Sequence, residues 1–512
     1  MLAKVKSLGL MGIQGYEVRV EADLNNGLPK FDTVGLPDAS IKESKERIRS
    51  AIKNSNLKFP ITKVTVNLAP ADVKKEGPIY DLPIAVALLA CTEEIVCPNL
   101  FEYSFLGELS LDGSIRRING VLPALITART LGHRKVVVPF ENVKEASFID
   151  GIEVYGVKNL KEVADFLNGK FFLPPIQKQK FEELKSSEIL SNDFCYIKGQ
   201  VQAKRALEIA AAGGHNVLMI GPPGAGKTML ARSVPTIMPD LTFDEALEVT
   251  KIHSIAGTLD LNEGIIWQRP FRSPHHTSTI IALTGGGKNA KPGEISLAHN
   301  GILFLDELPE YNRHTIETLR QPLEDGVITI ARNIATVEYP ASFMLIASMN
   351  PCPCGNYGSK KRECKCTPSA IQKYLGKISG PLLDRIDLHI EVDDIAYDDL
   401  VARDKLEEKS ESIKERVNKA RKVQLERYKN SNHFCNAQMT NAEMRKFCVL
   451  DEECENLMQD AFESLALSAR AYGRILKVAR TIADLEESEN ITISHLAEAI
   501  GYRSLDKKYQ FR

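Results

Sequence analysis

The stretch GPPGAGKT, residues 221–228, determines the fold that we expect for this chain. It follows the short apolar run NVLMI (216–220) and precedes MLARSV (229–234), which has the composition of a helix start. A strand, a loop of the pattern G-x-x-x-x-G-K-[ST] and a helix, in that order, form a phosphate-binding loop. A chance glycine-rich turn is the alternative, but every fixed position of the pattern and both flanks favour the loop.

Each residue type in this loop has an expected role. The glycines allow backbone N–H groups to surround phosphate oxygens, and the N-terminus of the following helix adds a favourable dipole. We expect Lys227 to reach the β- and γ-phosphates and the hydroxyl of Thr228 to bind Mg²⁺. The predicted nucleotide contacts are Gly221, Pro222, Pro223, Gly224, Ala225, Gly226, Lys227 and Thr228.

A run of buried-strand residues, GILFL (301–305), supplies the next part of the site because it ends in two acids. We expect Asp306 to hold Mg²⁺ through water and Glu307 to orient and deprotonate the attacking water. A strand followed by an acidic turn is the alternative. Together with the phosphate-binding loop, the two acids predict ATP and Mg²⁺ as cofactors and ATP hydrolysis as the reaction.

The order of these segments resembles that of AAA+ motors, in which a P-loop NTPase core with a parallel sheet binds the nucleotide. In that family a turn like IKGQ (197–200) packs near the adenine, which implies a contact from Ile197. A polar residue stands between the acidic and the phosphate-binding strands, and Asn350 takes that position after the apolar strand SFMLIA (342–347).

Two arginine segments extend this resemblance. GPLLDRID (380–387) is similar to the arginine-finger segment, which implies that Arg385 reaches the γ-phosphate bound by the neighbouring subunit of a ring. A surface arginine in an acid-flanked turn is the alternative. SARAYGRILKVAR (468–480) resembles the lid helix that carries a second phosphate-sensing arginine, for which Arg470 matches best and Arg474 is the runner-up.

Length, charge and cysteine content limit the remaining functions. The 512 residues predict about three domains, and the net charge of −2 means that any nucleic-acid surface is a local patch. No apolar run approaches the roughly 18 residues of a membrane span, and the first residues lack the apolar core of a signal peptide. We expect a cytoplasmic protein without membrane contact, whose ten cysteines are thiols or metal ligands.

Residues 1–168 are predicted to form an α/β domain of their own. The segments EGPIYDL (76–82) and GELSLDG (107–113) resemble the proteolytic domain of Lon, which implies a ribosomal protein S5 domain 2-like fold. Lon has a serine after the Gly-Pro and a lysine two residues after a Gly-Gly, whereas this chain has Ile79 and Leu122. Neither side chain can attack a peptide or take a proton, so we expect a scaffold without protease chemistry.

Changes in composition set the other expected boundaries. A proline-containing and then lysine- and glutamate-rich stretch predicts a linker over 169–190, followed by the ATPase core over 191–397. Interleaved charges and helical spacing predict a C-terminal helical lid over 398–512. The last helix is expected within ITISHLAEAI (491–500), with Ser494 as its N-cap.

Four cysteines predict a zinc site in an insertion of the core over 352–366. Cys352 and Cys354, followed by Cys364 and Cys366, form two C-x-C pairs, and four thiolates suit tetrahedral Zn²⁺. The intervening loop is too polar for a core of its own, so a metal would contribute the missing folding free energy. Two pairs of free thiols are the alternative. The loop also carries cations that could touch DNA: Lys360, Lys361 and Arg362.

A second basic segment extends from Gly264 to Gly293 and contains no acidic residue. It also holds the single tryptophan, two adjacent histidines and three consecutive glycines. Basic, glycine-rich loops with an aromatic residue can follow a phosphodiester backbone, which predicts an insertion facing the pore of a ring. A solvated hairpin is the alternative. The DNA-binding candidates in this segment are Arg269, Arg272, Lys288 and Lys291.

Several linking stretches make the resemblance more specific, among them RPFRSPHH (269–276), PGEISLAHN (292–300) and NPCPCG (350–355). With the Lon-like domain, the whole chain resembles the magnesium-chelatase-like AAA+ proteins of the ComM/YifB type. This resemblance implies a hexameric ring ATPase that moves branched or single-stranded DNA, as a helicase or branch-migration motor, during natural transformation. A chelatase-type motor that drives metal insertion through a partner and a protein remodeller are the alternatives.

Overall fold

The computed structural model describes residues 1–184, 192–260, 262–287, 290–331, 336–358, 362–394, 407–431, 433–465, 467–505 and 509. The chain divides into two compact units. The first contains Met1–Ser186, Thr242–Trp267 and Ala331–Glu338, and the second contains Ser187–Leu241, Gln268–Ile330 and Tyr339–Arg512. Within the described part, no helix is long and apolar enough to cross a membrane. The domain boundaries expected from composition stay predictions.

The first unit is built on a seven-stranded sheet, whose alternating apolar residues point into the core; Val64, Val66 and Leu68 are buried in this way. The strands are β1 (Leu2–Met11), β2 (Gln14–Asn25), β3 (Lys30–Val34), β4 (Lys63–Ala69), β5 (Tyr103–Phe105), β8 (Lys135–Pro139) and β9 (Glu153–Val157), and a hairpin of β6 (Glu108–Leu109) and β7 (Ile115–Arg116) lies apart. Their order is β3-β4-β2-β1-β5-β8-β9, antiparallel from β4 to β1 and otherwise parallel.

Five helices follow the strands of this unit: α1 (Ala39–Asn54), α2 (Asp81–Cys91), α3 (Val121–Thr130), α4 (Val143–Ala146) and α5 (Leu160–Leu167). The α2 helix is buried on all faces because every residue after Asp81 is apolar. At the positions of the Lon dyad, Leu122 is buried and Ile79 is partly buried against apolar clusters. Neither position presents a nucleophile or a base.

The first two α-helices of the second unit are α6 (Val201–Gly213) and α7 (Lys227–Ser233). The chain then forms α8 (Phe243–Ala256), which belongs to the first unit, before it returns to the second. The hydroxyl of Ser254 in α8 donates to the buried carboxylate of Glu145, and the Gly120 amide donates to the Ser254 carbonyl at 3.2 Å. Burial raises the pKa of Glu145. Residues 242–267 are therefore an insertion that joins the first unit, which no feature of the sequence predicted.

A five-stranded parallel sheet forms the centre of the second unit, and its four longer strands are buried on both faces, as is usual for parallel strands. The strands are β10 (Val217–Ile220), β11 (Phe271–Arg272), β14 (Ile302–Leu305), β17 (Met344–Met349) and β18 (Leu388–Glu391), in the order β11-β14-β17-β10-β18. The strand predicted from residue 342 begins later, at Met344, because Ser342 bonds outside the ladder to His299 and Asn300. Small hairpins are formed by β12 (Gly285–Gly286) with β13 (Lys291–Pro292) and by β15 (Val327–Ala331) with β16 (Thr336–Pro340).

Helices cover both faces of this sheet through two apolar clusters. They are α9 (Ile280–Thr284), α10 (Glu294–Leu297), α11 (Arg313–Glu317), α12 (Arg320–Asp325), α13 (Pro368–Leu375), α14 (Gly380–Leu383), α15 (Ser410–Arg427), α16 (Asn441–Phe447), α17 (Glu452–Ser464), α18 (Ala469–Leu485) and α19 (Ile493–Gly501). The helical character expected for the C-terminal part of the chain is confirmed. The N-cap predicted at Ser494 is wrong: Thr492 precedes α19, and its amide donates to His495 Nδ1 at 3.1 Å.

Candidate functional site

The loop between β10 and α7 has a conformation that only glycine accommodates at three positions. Gly224 and Gly226 have φ angles of 83° and 89°, in the left-handed region where a Cβ atom is strained. A Cβ atom on Gly221 would lie 2.2 Å from the carbonyl oxygen of Val392. The fixed glycines of the sequence pattern are thus required by the backbone.

This loop forms one wall of a cavity of about 420 Å³ at the carboxyl ends of the parallel strands. Residues 223–229 line that wall, and Asp306, Glu307 and residues 348–350 lie across from them. Gly221 and Pro222 do not line the cavity. Ile197 is buried in the adjoining apolar cluster, so its contact with an adenine stays a prediction.

The ammonium of Lys227 is held at the floor of the cavity. It donates to the carbonyls of Gly221 and Pro222 at 2.6 and 2.9 Å and to Asn350 Oδ1 at 3.2 Å. Burial lowers the pKa of Lys227, although the negative charges of Asp306 and Glu307 partly offset this by raising it. Asn350 therefore stands beside the charge that is expected to meet the phosphates.

The carboxylate of Asp306 is surrounded by donors at the end of β14. Thr228 Oγ1 donates to Asp306 Oδ2 at 2.8 Å, the hydroxyl of Ser348 donates to Oδ1, and the Glu307 amide donates to Oδ1 at 3.1 Å. A hydroxyl and a carboxylate in contact are the oxygen ligands that Mg²⁺ takes beside phosphates. The contact of Ser348 with Asp306 was not predicted from the sequence. Ser348 ends an apolar strand two residues before Asn350, and that position could have indicated it.

Glu307 differs from Asp306 because its carboxylate is half-exposed at the edge of the cavity. Its backbone has a φ angle of 53°, which turns the chain sharply after the strand. His276 Nδ1 lies 3.8 Å from Glu307 Oε2, and the His275 ring packs on His276 with centroids 4.1 Å apart. The acid-free segment thus brings a histidine to the candidate base, a neighbour that the sequence did not indicate.

The predicted phosphate-sensing arginines do not line this cavity. Arg385 is buried, donates to the Pro381 carbonyl at 2.8 Å and forms an ion pair with Glu324. Arg470 is exposed, with a guanidinium nitrogen 4.0 Å from the same carboxylate. Hydrogen bonding from Arg385, with further attraction from Arg470, lowers the pKa of Glu324.

Arg474, the runner-up for the second arginine, has a different partner. It donates to the fully buried Asp387 at 2.8 Å. Burial opposes the charge of Asp387, but Arg474 and His215 hold the pKa of this carboxyl well below its usual value. The exposed Arg470 is thus the freer of the two lid candidates, and the roles of all three arginines stay predictions.

The four cysteines come together in one cluster. Sγ of Cys352 lies 3.4 Å from Cys354 and 3.7 Å from Cys364, and the four sulfurs, with Cys366, are all within 4.8 Å of one another. With Zn–S bonds of about 2.3 Å, tetrahedral ligand sulfurs lie about 3.8 Å apart, so the set fits the metal. Hydrogen bonds from the amides of Asn356 and Lys365 lower the pKa of Cys354 to about 6. None of the ten cysteines forms a disulfide.

The cysteine cluster adjoins the nucleotide cavity. Gly355 has a φ angle of 78°, and a Cβ atom there would lie 2.4 Å from Cδ of Pro223 in the phosphate-binding loop. Gln200 also supports that loop, because its side-chain amide donates to the carbonyls of Asp393 and Ala225 at 2.6 and 3.4 Å. Sequence reasoning found neither contact, since both join residues far apart in the chain.

The DNA-binding candidates differ in their surroundings. Arg269 donates to the Pro239 and Asn300 carbonyls, and Arg272 forms a bidentate ion pair with Glu294 at 2.7 and 2.8 Å. Both guanidinium groups are thus engaged within the second unit. Lys291 and Arg362 are exposed. The remaining candidates lie outside the described residues: Lys288, Lys360 and Lys361.

Comparison with known families gives three matches along the chain. The family described as "Magnesium chelatase, subunit ChlI" matches residues 193–400, and "Subunit ChlI of Mg-chelatase" matches residues 20–142. The family described as "Magnesium chelatase, subunit ChlI C-terminal" matches residues 407–503. Successive parts of the chain therefore match parts of one kind of subunit.

Two relatives are similar over nearly the full length. Competence protein ComM of Haemophilus influenzae is 44% identical over 513 residues, which cover 99% of this chain and 99% of that protein. YifB of Salmonella typhimurium is 44% identical over 506 residues, which cover 99% and 98% of the two chains. A third, Lon protease 2 of Bacillus subtilis, is 27% identical over 162 residues, which cover 30% of this chain and 28% of that protein.

Proposed function

Because this chain belongs to the ComM/YifB-type family of magnesium-chelatase-like AAA+ proteins, we propose that it is an ATP-hydrolysing motor that acts on branched DNA in natural transformation. The family assignment also confirms the expected fold class, with a Lon-like α/β domain, an AAA+ P-loop core and C-terminal helices. Two observations support the motor function: the geometry of the nucleotide cavity and the similarity to competence protein ComM.

One observation carries the hydrolytic part of the proposal: Thr228 donates to Asp306 while Glu307 faces the same cavity as the phosphate-binding loop. In this arrangement Thr228 and Asp306 would hold Mg²⁺, which would supply charge neutralisation at the phosphates. Lys227 binds and orients the phosphate chain, and Glu307 accepts the proton of the attacking water. Asn350 keeps Lys227 in place.

The DNA part of the proposal rests on the similarity to competence protein ComM, together with the basic residues near the cysteine cluster. We propose branch migration or strand separation as the action, with zinc bound by the four cysteines as a structural element. Lys291, which is exposed, is better placed than Arg269 and Arg272 to meet phosphates, because those two arginines already have internal partners.

A ring of six subunits completes the proposal. Arg385 and Arg470 lie outside the nucleotide cavity of their own chain, and a phosphate-sensing role for them requires a neighbouring subunit's nucleotide. None of the ten cysteines forms a disulfide, which agrees with a reducing compartment, and we propose the cytoplasm as the location.

The test of this function is which ligand stimulates ATP hydrolysis. We expect a four-way DNA junction to raise the rate of the purified protein well above that with linear duplex. A chelatase-type motor or a protein remodeller would respond to a protein partner and not to DNA. Hydrolysis that no DNA form stimulates would contradict the proposed substrate.

A further inference from the structure

A second cavity, also of about 420 Å³, lies in the second unit beside the chain that follows Glu307. One wall is the segment 309–313, and the other is the end of α13 with the turn after it. Arg313, Lys373 and Lys377 face this cavity, against a single carboxylate, that of Glu310. The lining therefore carries an excess of positive charge.

The cations are only weakly neutralised by the protein itself. Lys377 lies 3.4 Å from Glu310, but both side chains are nearly half exposed, and such ion pairs contribute little. Arg313 and Lys373 form no ion pair within the described ranges. Glu317, one turn along α11 from Arg313, is paired with Arg320 at 3.2 Å and attracts Arg313 without forming an ion pair with it. The cavity thus has positive charge available for an external anion.

The charge continues along the chain towards the cysteine cluster. Between residues 360 and 377 the sequence contains six lysines and arginines and one acid, Glu363. The helix α13 begins directly after Cys366, so the cluster fixes the start of the helix that carries Lys373. Several cations within one short stretch of chain suit a series of phosphates better than one small anion.

We propose that this second cavity binds the phosphodiester backbone of DNA, with Arg313, Lys373 and Lys377 as the phosphate ligands. The inference rests on the proposed function, because it assigns the DNA contact of the same motor. It also moves that contact away from Arg269 and Arg272, whose guanidinium groups have partners within the protein.

The position of the cavity connects DNA binding with hydrolysis. The segment 309–313 begins two residues after Glu307, and Tyr311 within it donates its hydroxyl to the Pro274 carbonyl at 2.6 Å. Pro274 is two residues before His276, which lies beside Glu307. A phosphate held by Arg313 would therefore act on the short segment that places the candidate base, which gives a physical route for stimulation of hydrolysis by DNA.

The test compares two variants of the full-length protein that lose the same charge. Arg313→Ala/Lys373→Ala removes two of the ligands, and Lys419→Ala/Lys429→Ala removes two exposed lysines from the region of α15. Binding to a fluorescent single strand and to a four-way junction is measured by anisotropy at several salt concentrations. We expect the first variant to lose affinity and about two units of salt slope, one per lost phosphate contact, and the second to match the wild type.

Further measurements separate the alternatives. The conservative variant Arg313→Lys/Lys373→Arg should regain most of the DNA affinity, and the ratio of DNA-stimulated to basal hydrolysis should fall only in the alanine variant. Inorganic phosphate, at matched ionic strength, should not displace DNA better than chloride does. The inference would be overturned if the Arg313→Ala/Lys373→Ala variant lost binding of inorganic phosphate but kept its binding of DNA, because the cavity would then be a site for free phosphate.

Two other results have different meanings. If the wild type binds DNA and the alanine variant has the same affinity and salt slope, the inference is wrong and the proposed function stands. The same conclusion holds if the variant loses affinity only because its ring dissociates into subunits. If the wild type binds no DNA at any salt concentration, the proposed function fails and the inference fails with it.

Discussion

Arg385 and Glu324 form an ion pair in which the arginine is buried behind the acid. The Arg385 side chain is 7% exposed and that of Glu324 is 54% exposed, so the carboxylate lies between the guanidinium and solvent. Arg470 approaches the same carboxylate from the lid helix α18. A phosphate on a neighbouring subunit would have to replace Glu324 as the anionic partner before Arg385 could contact it, whereas Arg470 is already exposed.

We predict that Arg385 acts between subunits. Arg385→Ala and Lys227→Ala proteins should each be inactive as ATPases, because one lacks the finger and the other lacks the charge at the phosphates. Mixing them should restore part of the activity, since some interfaces then combine an intact arginine with an intact loop. The measurement is ATPase rate against mixing ratio, with mixed rings verified by mass. No recovery at any ratio would show that Arg385 does not work in trans.

We predict that the two lid arginines separate into a structural and a functional residue. Arg474→Ala leaves the buried Asp387 carboxylate without its main partner, at a cost of about 3 kcal/mol. In thermal unfolding of the second unit this should lower the melting temperature by about 5 °C. Arg470→Ala, at an exposed position, should melt within about 2 °C of the wild type but hydrolyse ATP more slowly. Equal melting temperatures for the two variants would refute the assignment.

We predict one Zn²⁺ per chain in the cysteine cluster. Four thiolates complete a tetrahedron and leave no position for water, so the metal is structural. Chelation should lower the melting temperature and also weaken ATP binding, because Gly355 of the cluster packs on Pro223 of the phosphate-binding loop. Cys364→Ser should reproduce both effects, and Cys195→Ser, outside the cluster, is the control. Elemental analysis after reducing, chelator-free purification checks the first point, and clearly less than one zinc per chain would mean ordinary thiols.

We predict that the Lon-like domain has no peptidase activity. Ile79 and Leu122 pack in apolar clusters where a protease would need a nucleophile and a base. Casein incubated with the homogeneous protein should stay intact with or without ATP. Cleavage that disappears on mutation of the first unit would disprove this, whereas cleavage that persists would indicate a contaminant.

The residues that could be predicted from the sequence are those whose function depends on local spacing. The loop glycines, Lys227 and Thr228 are adjacent in the chain, and Asp306 and Glu307 follow an apolar strand directly, so the pattern alone places them at strand ends. The structure brings Thr228 and Asp306 into contact as this reasoning requires. The cysteine pairs were recognised in the same way, because their ligand spacing is local.

What the sequence could not supply depends on contacts between distant residues. Nothing in α8 indicates that Ser254 bonds to Glu145 of the first unit, or that Gly355 touches Pro223. The basic character of Arg269 and Arg272 was visible, but their engagement by backbone carbonyls and by Glu294 was not. Charge in a sequence shows what a surface can attract only after the internal partners are known.

The most direct measurement of the central claim is the processing of a labelled four-way DNA junction by the purified protein with ATP and Mg²⁺. We predict that the wild type converts the junction to its duplex products. Glu307→Gln should bind ATP and the junction but convert it very slowly, because the attacking water loses its base. Failure of the wild type to process any branched DNA, or equal processing by Glu307→Gln, would contradict the account of this protein as an ATP-driven DNA motor.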